Sequence, residues 1–130
     1  MRVVIDTNVL VAGLLNPDGA PAAVLRLAIN GRLDLLVDNR ILFEYDDVLR
    51  RPRFGFAERE ITILLDFLRN ESEYVSAEPR PELVADTDDA AFYEVARSGL
   101  ADALITGNRR HYPQEPLIVT PRELLSRLTT

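Results

Sequence analysis

The sequence predicts an α/β fold, a three-layer sandwich in which a central parallel sheet of four to five strands is flanked by helices. Short apolar runs alternate along the chain with segments whose apolar residues recur at helical spacing. The runs are continuous, as in parallel strands that are buried on both faces. Strands that alternate with helices in this way form parallel sheets covered on both sides. We expect residues 1–130 to form a single domain of this kind.

Five short apolar runs predict the strands. Most are rich in Val, Ile or Leu and are bounded by polar or turn-forming residues. The predicted strands are Arg2–Asp6, Leu33–Val37, Tyr74–Ser76, Ala103–Thr106 and Leu117–Thr120. Because right-handed crossovers keep such strands parallel, their carboxyl ends should share one edge of the sheet, where open α/β sheets bind their ligands.

Segments with helical spacing lie between these runs. The predicted helices begin near Pro21, Asn39, Ile61, Thr87 and Pro121. The second of them carries an apolar stripe that ends at Pro52, because proline cannot continue a helix. The last has the strongest start signal, with Thr120 as its cap and Glu123 three residues later.

The composition excludes several kinds of chemistry. The chain has no cysteine, one histidine and no lysine, since all fifteen basic residues are arginine. Disulfides, thiolate zinc sites and cysteine nucleophiles are therefore excluded. Without lysine, a phosphotransfer receiver or a dehalogenase-type phosphatase is also excluded, although both carry an acid after the first strand. No glycine-rich phosphate loop is present, so nucleotide binding has no support.

The net charge of -6 argues against a general nucleic-acid coat, because such proteins usually have a basic excess. It is compatible with a nucleic-acid enzyme, since bound divalent cations would offset part of a carboxylate cluster. Several arginines are candidates for local phosphate contacts, and each of them also fits the role of a solvated surface residue. They are Arg32, Arg40, Arg50, Arg51, Arg53, Arg109 and Arg110.

Three acidic residues from distant parts of the sequence are expected at the carboxyl edge of the sheet. Asp6 ends the first strand, and Glu44 lies in the first turns of the helix that follows the second strand. Asp89 opens a helix that starts at the same edge, because the strand after it runs back to Thr106. Asp6 follows the apolar run "VVI", where an ionised carboxylate is costly unless a partner compensates it.

Such a cluster predicts a metal site. Like charges repel one another unless a cation lies among them, and ligands that are all oxygen suit Mg²⁺ or Mn²⁺. An ion held with bound water supports hydrolysis of a phosphodiester. Considered singly, Glu44 also fits a partner for an arginine, and Asp89 also fits a first-turn helix residue. The position of Asp6 favours a functional role.

Four stretches spread over essentially the whole chain form a pattern. They are "VVIDTNVLVAGLL", "FEYDDVLRRPRF", "DTDDAAFYEVA" and "ADALITGNRRHYP". In this order and spacing they resemble the PIN-domain ribonucleases, in particular the VapC-type toxins of bacterial toxin–antitoxin systems. The resemblance implies Asp6, Glu44 and Asp89 as catalytic metal ligands. It implies four supporting residues, which are Thr7, Asn8, Asp88 and Thr106.

The sequence departs from this pattern at its fourth acidic position. Where the family has an aspartate after the strand, "LITGN" places Asn108, which we include among the catalytic candidates. An amide can ligate a metal or orient its water but adds no charge, so one or two ions remain open. Asp102 precedes the strand and should lie ~13 Å away, at the opposite end. His111 fits either loop packing against Tyr112 or a substrate contact.

The resemblance further implies an endoribonuclease with RNA as substrate, Mg²⁺ or Mn²⁺ as cofactor, a homodimer and a cognate antitoxin. Arg50, Arg109 and Arg110 are the expected RNA contacts. The alternative is a PIN-like RNA- or protein-binding module whose metal site is weakened by Asn108. Phe43, Phe54 and Phe56 are the expected apolar contact surface.

The sequence also bears on location. The longest apolar runs are shorter than the ~20 residues that a membrane span needs, and the amino terminus lacks a signal pattern. We expect a soluble, cytoplasmic protein without a membrane partner.

Overall fold

A computed structural model describes residues 1–80 and 87–129 of the chain. Its sheet has five parallel strands in the order β3-β2-β1-β4-β5. The strands are β1 (Arg2–Ile5), β2 (Asp34–Val37), β3 (Glu73–Tyr74), β4 (Ala103–Ile105) and β5 (Ile118–Val119). With helices packed on the sheet, this architecture confirms the predicted α/β fold. The chain order of the strands reverses beside β1, which is the kind of place where open α/β sheets bind ligands.

Helices connect the strands in the described part of the chain. They are α1 (Thr7–Leu15), α2 (Ala20–Ile29), α3 (Asn39–Leu49), α4 (Glu58–Glu71), α5 (Thr87–Ser98) and α6 (Pro121–Leu128). Two single 3₁₀ turns, Pro52–Phe54 and Arg109–His111, precede α4 and β5. The predicted capping box of α6 is present, with Thr120 and Glu123 bonded reciprocally. None of the helices in these ranges is long and apolar enough to cross a membrane.

Helix α1 has no counterpart among the predicted elements. Its sequence, "TNVLVAGLL", is apolar on nearly every side, so no amphipathic stripe identifies it. The structure explains this composition, because Val9, Leu10 and Val11 are all buried, and α1 packs against both α2 and α3. Helix α1 begins directly after β1 and therefore carries the residues that follow Asp6 into the carboxyl edge of the sheet.

The carboxyl edge lies one residue beyond the strands themselves. The backbone N–H of Asp6 donates to Ile105 O at 2.9 Å, and that of Thr106 donates to Val119 O at 2.9 Å. These bonds continue the parallel ladder, so Asp6 and Thr106 lie at the same level on neighbouring strands. Asp102 lies at the opposite end, as predicted, where its carboxylate accepts from Arg2 N at 2.8 Å.

The chain just after α5 packs closely against its neighbours at Gly99. A Cβ atom there would lie 2.9 Å from Leu36 Cδ1, from Val75 Cγ2 and from the backbone oxygen of Val95. We therefore expect Gly99→Ala to lower the free energy of unfolding by about 1–3 kcal/mol in urea titrations. Gly107→Ala is the matched control, because a Cβ atom at Gly107 meets nothing within 4 Å. Equal effects of the two substitutions would contradict this account of the packing.

Candidate active site

A cleft of about 430 Å³ opens at the carboxyl edge of β1. All three predicted acids, Asp6, Glu44 and Asp89, line it. They arrive on different elements, since Asp6 follows β1, Glu44 lies on α3 and Asp89 on α5. The described residues that line the cleft beside them include Thr7, Asn8, Arg51, Arg53, Phe54 and His111. The fold thus gathers the predicted acids into one concave site.

Asp6 is the most deeply buried of the three acids, with 2% of its surface exposed. Its Oδ2 atom accepts from Thr106 Oγ1 at 2.8 Å and from the Tyr112 hydroxyl at 3.1 Å. Within residues 1–80 and 87–129, both side-chain partners of this carboxylate are neutral hydroxyls. Hydrogen bonds offset part of the cost of burying a charge, but neither partner supplies a balancing positive charge.

Glu44 is tied to the first turn of α1. The Thr7 hydroxyl donates to Glu44 Oε2, and Thr7 is itself buried. This contact joins α1 to α3 directly beside Asp6. The sequence pattern marked Thr7 only as a support for Asp6, whereas in the structure it holds the second acid.

Asp89 lies in the first turn of α5 and is 9% exposed. His111 Nδ1 is 3.1 Å from Asp89 Oδ2, and the opposite ring nitrogen, Nε2, is 2.8 Å from Asn108 Nδ2. His111 therefore lies between the third acid and the amide at the fourth position of the motif. Of the two interpretations of His111 left open by the sequence, the structure favours a place in the site over simple packing.

The negative charges of the acids raise the pKa values of two buried tyrosines, Tyr45 and Tyr112. Burial, followed by the charge of Asp6, raises the pKa of Tyr112 above its ordinary value, and Asp89 and Glu44 raise it further. Burial and the charges of Asp6 and Glu44 likewise raise the pKa of Tyr45. The acids therefore act on common neighbours, as expected for a shared negative field. Tyr112 supports Asp6 directly, although no spacing pattern in the sequence pointed to this role.

The donor set fits a hard divalent cation in kind, because the three acids offer only oxygen ligands. Among the residues that the structure describes, however, no group of three or more histidine, aspartate or glutamate side chains is arranged to hold a metal ion. Thr7 holds Glu44 and His111 contacts Asp89, so the acids are oriented by protein groups. The residues for a metal site share the cleft without forming a closed ligand shell.

The other predicted supporting residues occupy different places. Asn8 lines the cleft, whereas Thr106 is fully buried and acts through its bond to Asp6. The Asn108 side chain is bonded to His111, and its backbone N–H donates to Thr106 Oγ1 at 3.0 Å. Asp88 was predicted as a further support, and its side chain lies outside the described residues.

The predicted RNA-contacting arginines lie around the cleft rather than in it. Arg50 is paired with Asp46 and Glu58. Arg109 and Arg110 line a neighbouring cleft of about 680 Å³, on the other side of the turn that carries His111. Two arginines that were only general candidates, Arg51 and Arg53, line the acidic cleft itself. The basic groups at the rim of the acidic cleft are therefore Arg51 and Arg53 and not the predicted Arg50, Arg109 and Arg110.

An ion pair fixes the turn that carries His111. Arg109 Nη1 lies 2.6 Å from Glu123 Oε1, which joins the Arg109–His111 turn to the first turn of α6. Hydrogen bonds from Arg109 and from the Thr120 backbone lower the pKa of Glu123 to about 2. The pair therefore links the Arg109–His111 turn at the edge of the site to α6, as a half-exposed surface contact.

The lowered pKa of Glu123 gives a pH prediction. A depressed folded-state pKa contributes stability above the unfolded value, near ~4.3, which is lost as the pH falls toward 2. The Glu123 side chain is 46% exposed, so we expect less than ~1 kcal/mol. In urea titrations, Glu123→Gln should therefore be less stable than the wild type at pH 7, and the difference should close toward pH 2. A difference that stays constant with pH would contradict this assignment, and Glu60→Gln, in the first turn of α4, is the control.

The family model for the PIN domain matches residues 2–110, which are most of the chain. The chain belongs to the PIN-domain family. The family resemblance read from the four sequence motifs is thereby confirmed. PIN domains are typically nucleases, and such nucleases generally use divalent metals.

Other proteins are similar to this PIN domain. An uncharacterized protein of Methanocaldococcus jannaschii is 30% identical over 113 residues, which are 84% of this chain and 72% of that protein. The crystal structure of PAE2754 from Pyrobaculum aerophilum has a TM-score of 0.64 at 21% identity, over 99% of this chain and 90% of that one. The crystal structure of VapBC2 from Rickettsia felis, bound to a DNA fragment from its promoter, has a TM-score of 0.58 at 19% identity. The match covers 92% of this chain and 97% of that one. The two structures support the fold.

Proposed function

We propose that this PIN domain is a divalent-metal-dependent endoribonuclease that hydrolyses RNA phosphodiester bonds. The observation that carries the proposal is the convergence of Asp6, Glu44 and Asp89 on one cleft at the carboxyl edge of the sheet. Membership of a family of nucleases supports it. In this proposal Asp6, Glu44 and Asp89 would hold Mg²⁺ or Mn²⁺, and the cleft would take the RNA strand.

The residues of the chain have separate tasks in this mechanism. When bound, the divalent ion lowers the pKa of a water molecule and stabilises charge on the phosphoryl oxygens. Thr106 and Tyr112 fix the Asp6 carboxylate through Oδ2, and Thr7 fixes Glu44. Such fixed orientations matter because a catalytic group that is already in place needs no reorganisation during the reaction.

The rim of the cleft is suited to a polyanion. Arg51 and Arg53 line it; Arg51 lies between α3 and the Pro52–Phe54 turn, and Arg53 lies in that turn. Arg53 stacks on Phe54, with its guanidinium carbon 4.9 Å from the ring centroid, which leaves a flat cationic surface beside the acids. We assign these two arginines to phosphates on either side of the cleaved bond.

Cleavage of a labelled single-stranded RNA with added metal tests the proposal. We expect cleavage with Mg²⁺ or Mn²⁺, none in EDTA, and recovery when the metal is restored in excess. An internally labelled, end-blocked RNA distinguishes endonucleolytic from exonucleolytic cleavage. Undiminished cleavage in EDTA would refute metal dependence, and cleavage of only DNA would refute the substrate class.

The partner proposal is a cognate antitoxin and a homodimer. Support comes from the resemblance to VapC-type toxins and from the structural similarity to the Rickettsia felis VapBC2 structure. Light scattering on the purified chain tests the homodimer, for which the mass should be twice 14.6 kDa. A monomer over the whole concentration range would exclude the homodimer.

A specific observation also favours a second candidate, a PIN domain that binds RNA or protein without cleaving it. Within the described residues no three acidic or histidine side chains form a ready metal site, and Asn108 replaces an acid. Calorimetric titration with Mn²⁺ separates the candidates. Saturable binding that is lost in Asp89→Asn supports the nuclease, whereas no binding up to several millimolar supports the binding module.

A further inference from the structure

A second and larger cleft, of about 680 Å³, lies beside β5. The Arg109–His111 turn separates it from the acidic cleft, because Arg110 lines the larger cleft and His111 lines the acidic one. The next residue, Tyr112, also lines the larger cleft, and its hydroxyl donates to Asp6 Oδ2 at 3.1 Å. The two clefts are therefore neighbours that share a wall.

The larger cleft carries positive charge, although the chain as a whole has a net charge of -6. Among the described residues, three arginines and two glutamates line it, and they are Arg109, Arg110, Arg127, Glu115 and Glu123. Both glutamates are already bound by arginine. Arg97, from the last turn of α5, lies 2.9 Å from Glu115. Arg109 lies 2.6 Å from Glu123. The charges of these residues leave a positive excess, so we call this cavity the basic cleft.

Two arginines from separate elements stand ready for an anion in the basic cleft. Arg110 is exposed in the turn between β4 and β5, and no acid among residues 1–80 and 87–129 pairs with it. Arg127 lies on α6, and its Nη2 donates to Pro116 O at 3.2 Å, which holds the side chain at the cleft. A guanidinium group is planar and has five N–H donors, which match the oxygens of a phosphate.

The backbone phosphates of an RNA strand are the ligand that this arrangement favours. A strand that is bound at the acidic cleft above β1 has to continue beyond it, and only β4 lies between β1 and β5. Among the described lining residues the one aromatic side chain, Tyr112, is buried, so the basic cleft offers contacts to phosphates and no stacking surface for bases. A positive cleft also attracts a polyanion that a net negative protein would otherwise repel.

We propose that the basic cleft binds backbone phosphates of the RNA strand beyond the acidic cleft, with Arg110 and Arg127 as the contacting groups. The path of the strand rests on the proposed function, whereas the phosphate contacts require no cleavage. Binding there is independent of base sequence, because phosphates carry no sequence information. Without metal the acids of the neighbouring cleft repel phosphate, so the basic cleft should then supply most of the RNA binding.

Fluorescence anisotropy in EDTA, with a labelled single-stranded RNA of about 16 nucleotides, tests the phosphate contacts. Arg110→Gln and Arg127→Gln should each weaken binding. Each should also lower the slope of the logarithm of the association constant against the logarithm of salt concentration by about 0.7, the value for one phosphate contact on a single strand. Arg59→Gln is the matched control, because it removes the same charge from an exposed position in the first turn of α4. No RNA binding by the wild type, or equal slopes in all four proteins, would overturn the inference.

Neutral linkages in the RNA locate the strand. In cleavage assays with Mn²⁺, RNAs in which one phosphate at a time is replaced by a methylphosphonate should show a raised KM when the neutral linkage falls at the basic cleft. That rise should be lost in Arg110→Gln or Arg127→Gln, because the charge that the phosphate contacts is then absent. The affected linkages should lie to one side of the cleaved bond. If no linkage loses its effect in either variant, the inference is overturned.

These readouts also separate the inference from other ligands and from the proposed function. Polyglutamate that binds the wild type as tightly as RNA of the same charge would overturn the assignment to RNA. A wild type that binds RNA through Arg110 but does not cleave it refutes the proposed function and supports the basic cleft. A wild type that cleaves RNA with no effect of Arg110→Gln or Arg127→Gln refutes the basic cleft alone.

Discussion

Asp6→Asn is expected to lower kcat for RNA cleavage by roughly 10²–10³-fold, the range found when one preorganised charge-stabilising group is removed. Asparagine keeps an oxygen that can accept from Thr106 and Tyr112, so the fold should survive. What disappears is the negative charge that we assign to the metal. The measurement is single-turnover cleavage with saturating Mn²⁺, together with the circular dichroism of the variant.

The same Asp6→Asn variant should lose activity but gain thermal stability. Asp6 is almost wholly buried among other acids, so removing its charge should raise the melting temperature of the metal-free protein. Mn²⁺ at 100 times its Kd should stabilise the wild type by about 2.7 kcal/mol but not the variant. Asp102→Asn is the matched control, because it makes the same change at the opposite end of the sheet. A loss of cleavage in Asp102→Asn would contradict the location of the site.

The second large effect is expected from Thr106→Val. Thr106 is fully buried, and its hydroxyl both donates to Asp6 and accepts from the Asn108 backbone. Valine has nearly the same shape, so the change removes hydrogen bonds and little packing. We expect the free energy of unfolding to fall by about 1.5–3 kcal/mol, the usual range for a hydrogen bond to a charged group. Urea titration measures it, with Thr62→Val on the exposed face of α4 as the control.

A double-mutant cycle assigns this effect to the carboxylate. If the bond from Thr106 to the charge of Asp6 dominates, Thr106→Val should cost less in the Asp6→Asn background than in the wild type. The difference between the two costs measures the coupling between the hydroxyl and the charge. Additive effects would contradict the role that we assign to Thr106 in compensating the buried acid.

The sheet was predictable because its strands carry their signal locally. Val3, Val4 and Ile5 form a continuous apolar run, and all three are buried in the central strand β1. Helix α3 was predictable for the same reason, since Ile41, Leu42, Tyr45 and Leu49 repeat at helical spacing and face the core. Helix α1 was not, because its sequence is apolar on nearly every side and has no polar face to give it a period.

The candidate site, like the fold, could be predicted only in part. Asp6, Glu44 and Asp89 could be predicted, because the topology of a parallel sheet brings strand ends and the following helix starts to one edge. The orientation of their side chains could not. Thr7 bonds to Glu44 rather than to its neighbour Asp6, and Arg51 and Arg53 replace Arg50 at the cleft. Such choices depend on rotamers and on helix direction, which residue spacing does not specify.

The sequence by itself determined the order of the strands and of the helices other than α1, the acids that line the cleft and the absence of lysine and cysteine chemistry, because these follow from local patterns and composition. Only the tertiary structure decided that Tyr112 and Thr106 compensate Asp6 and that His111 joins Asn108 to Asp89. The physical reason is the short range of the interactions that hold these side chains. A hydrogen bond acts over about 3 Å, so residues separated by 100 positions in sequence, such as Asp6 and Thr106, become partners only after the sheet has formed.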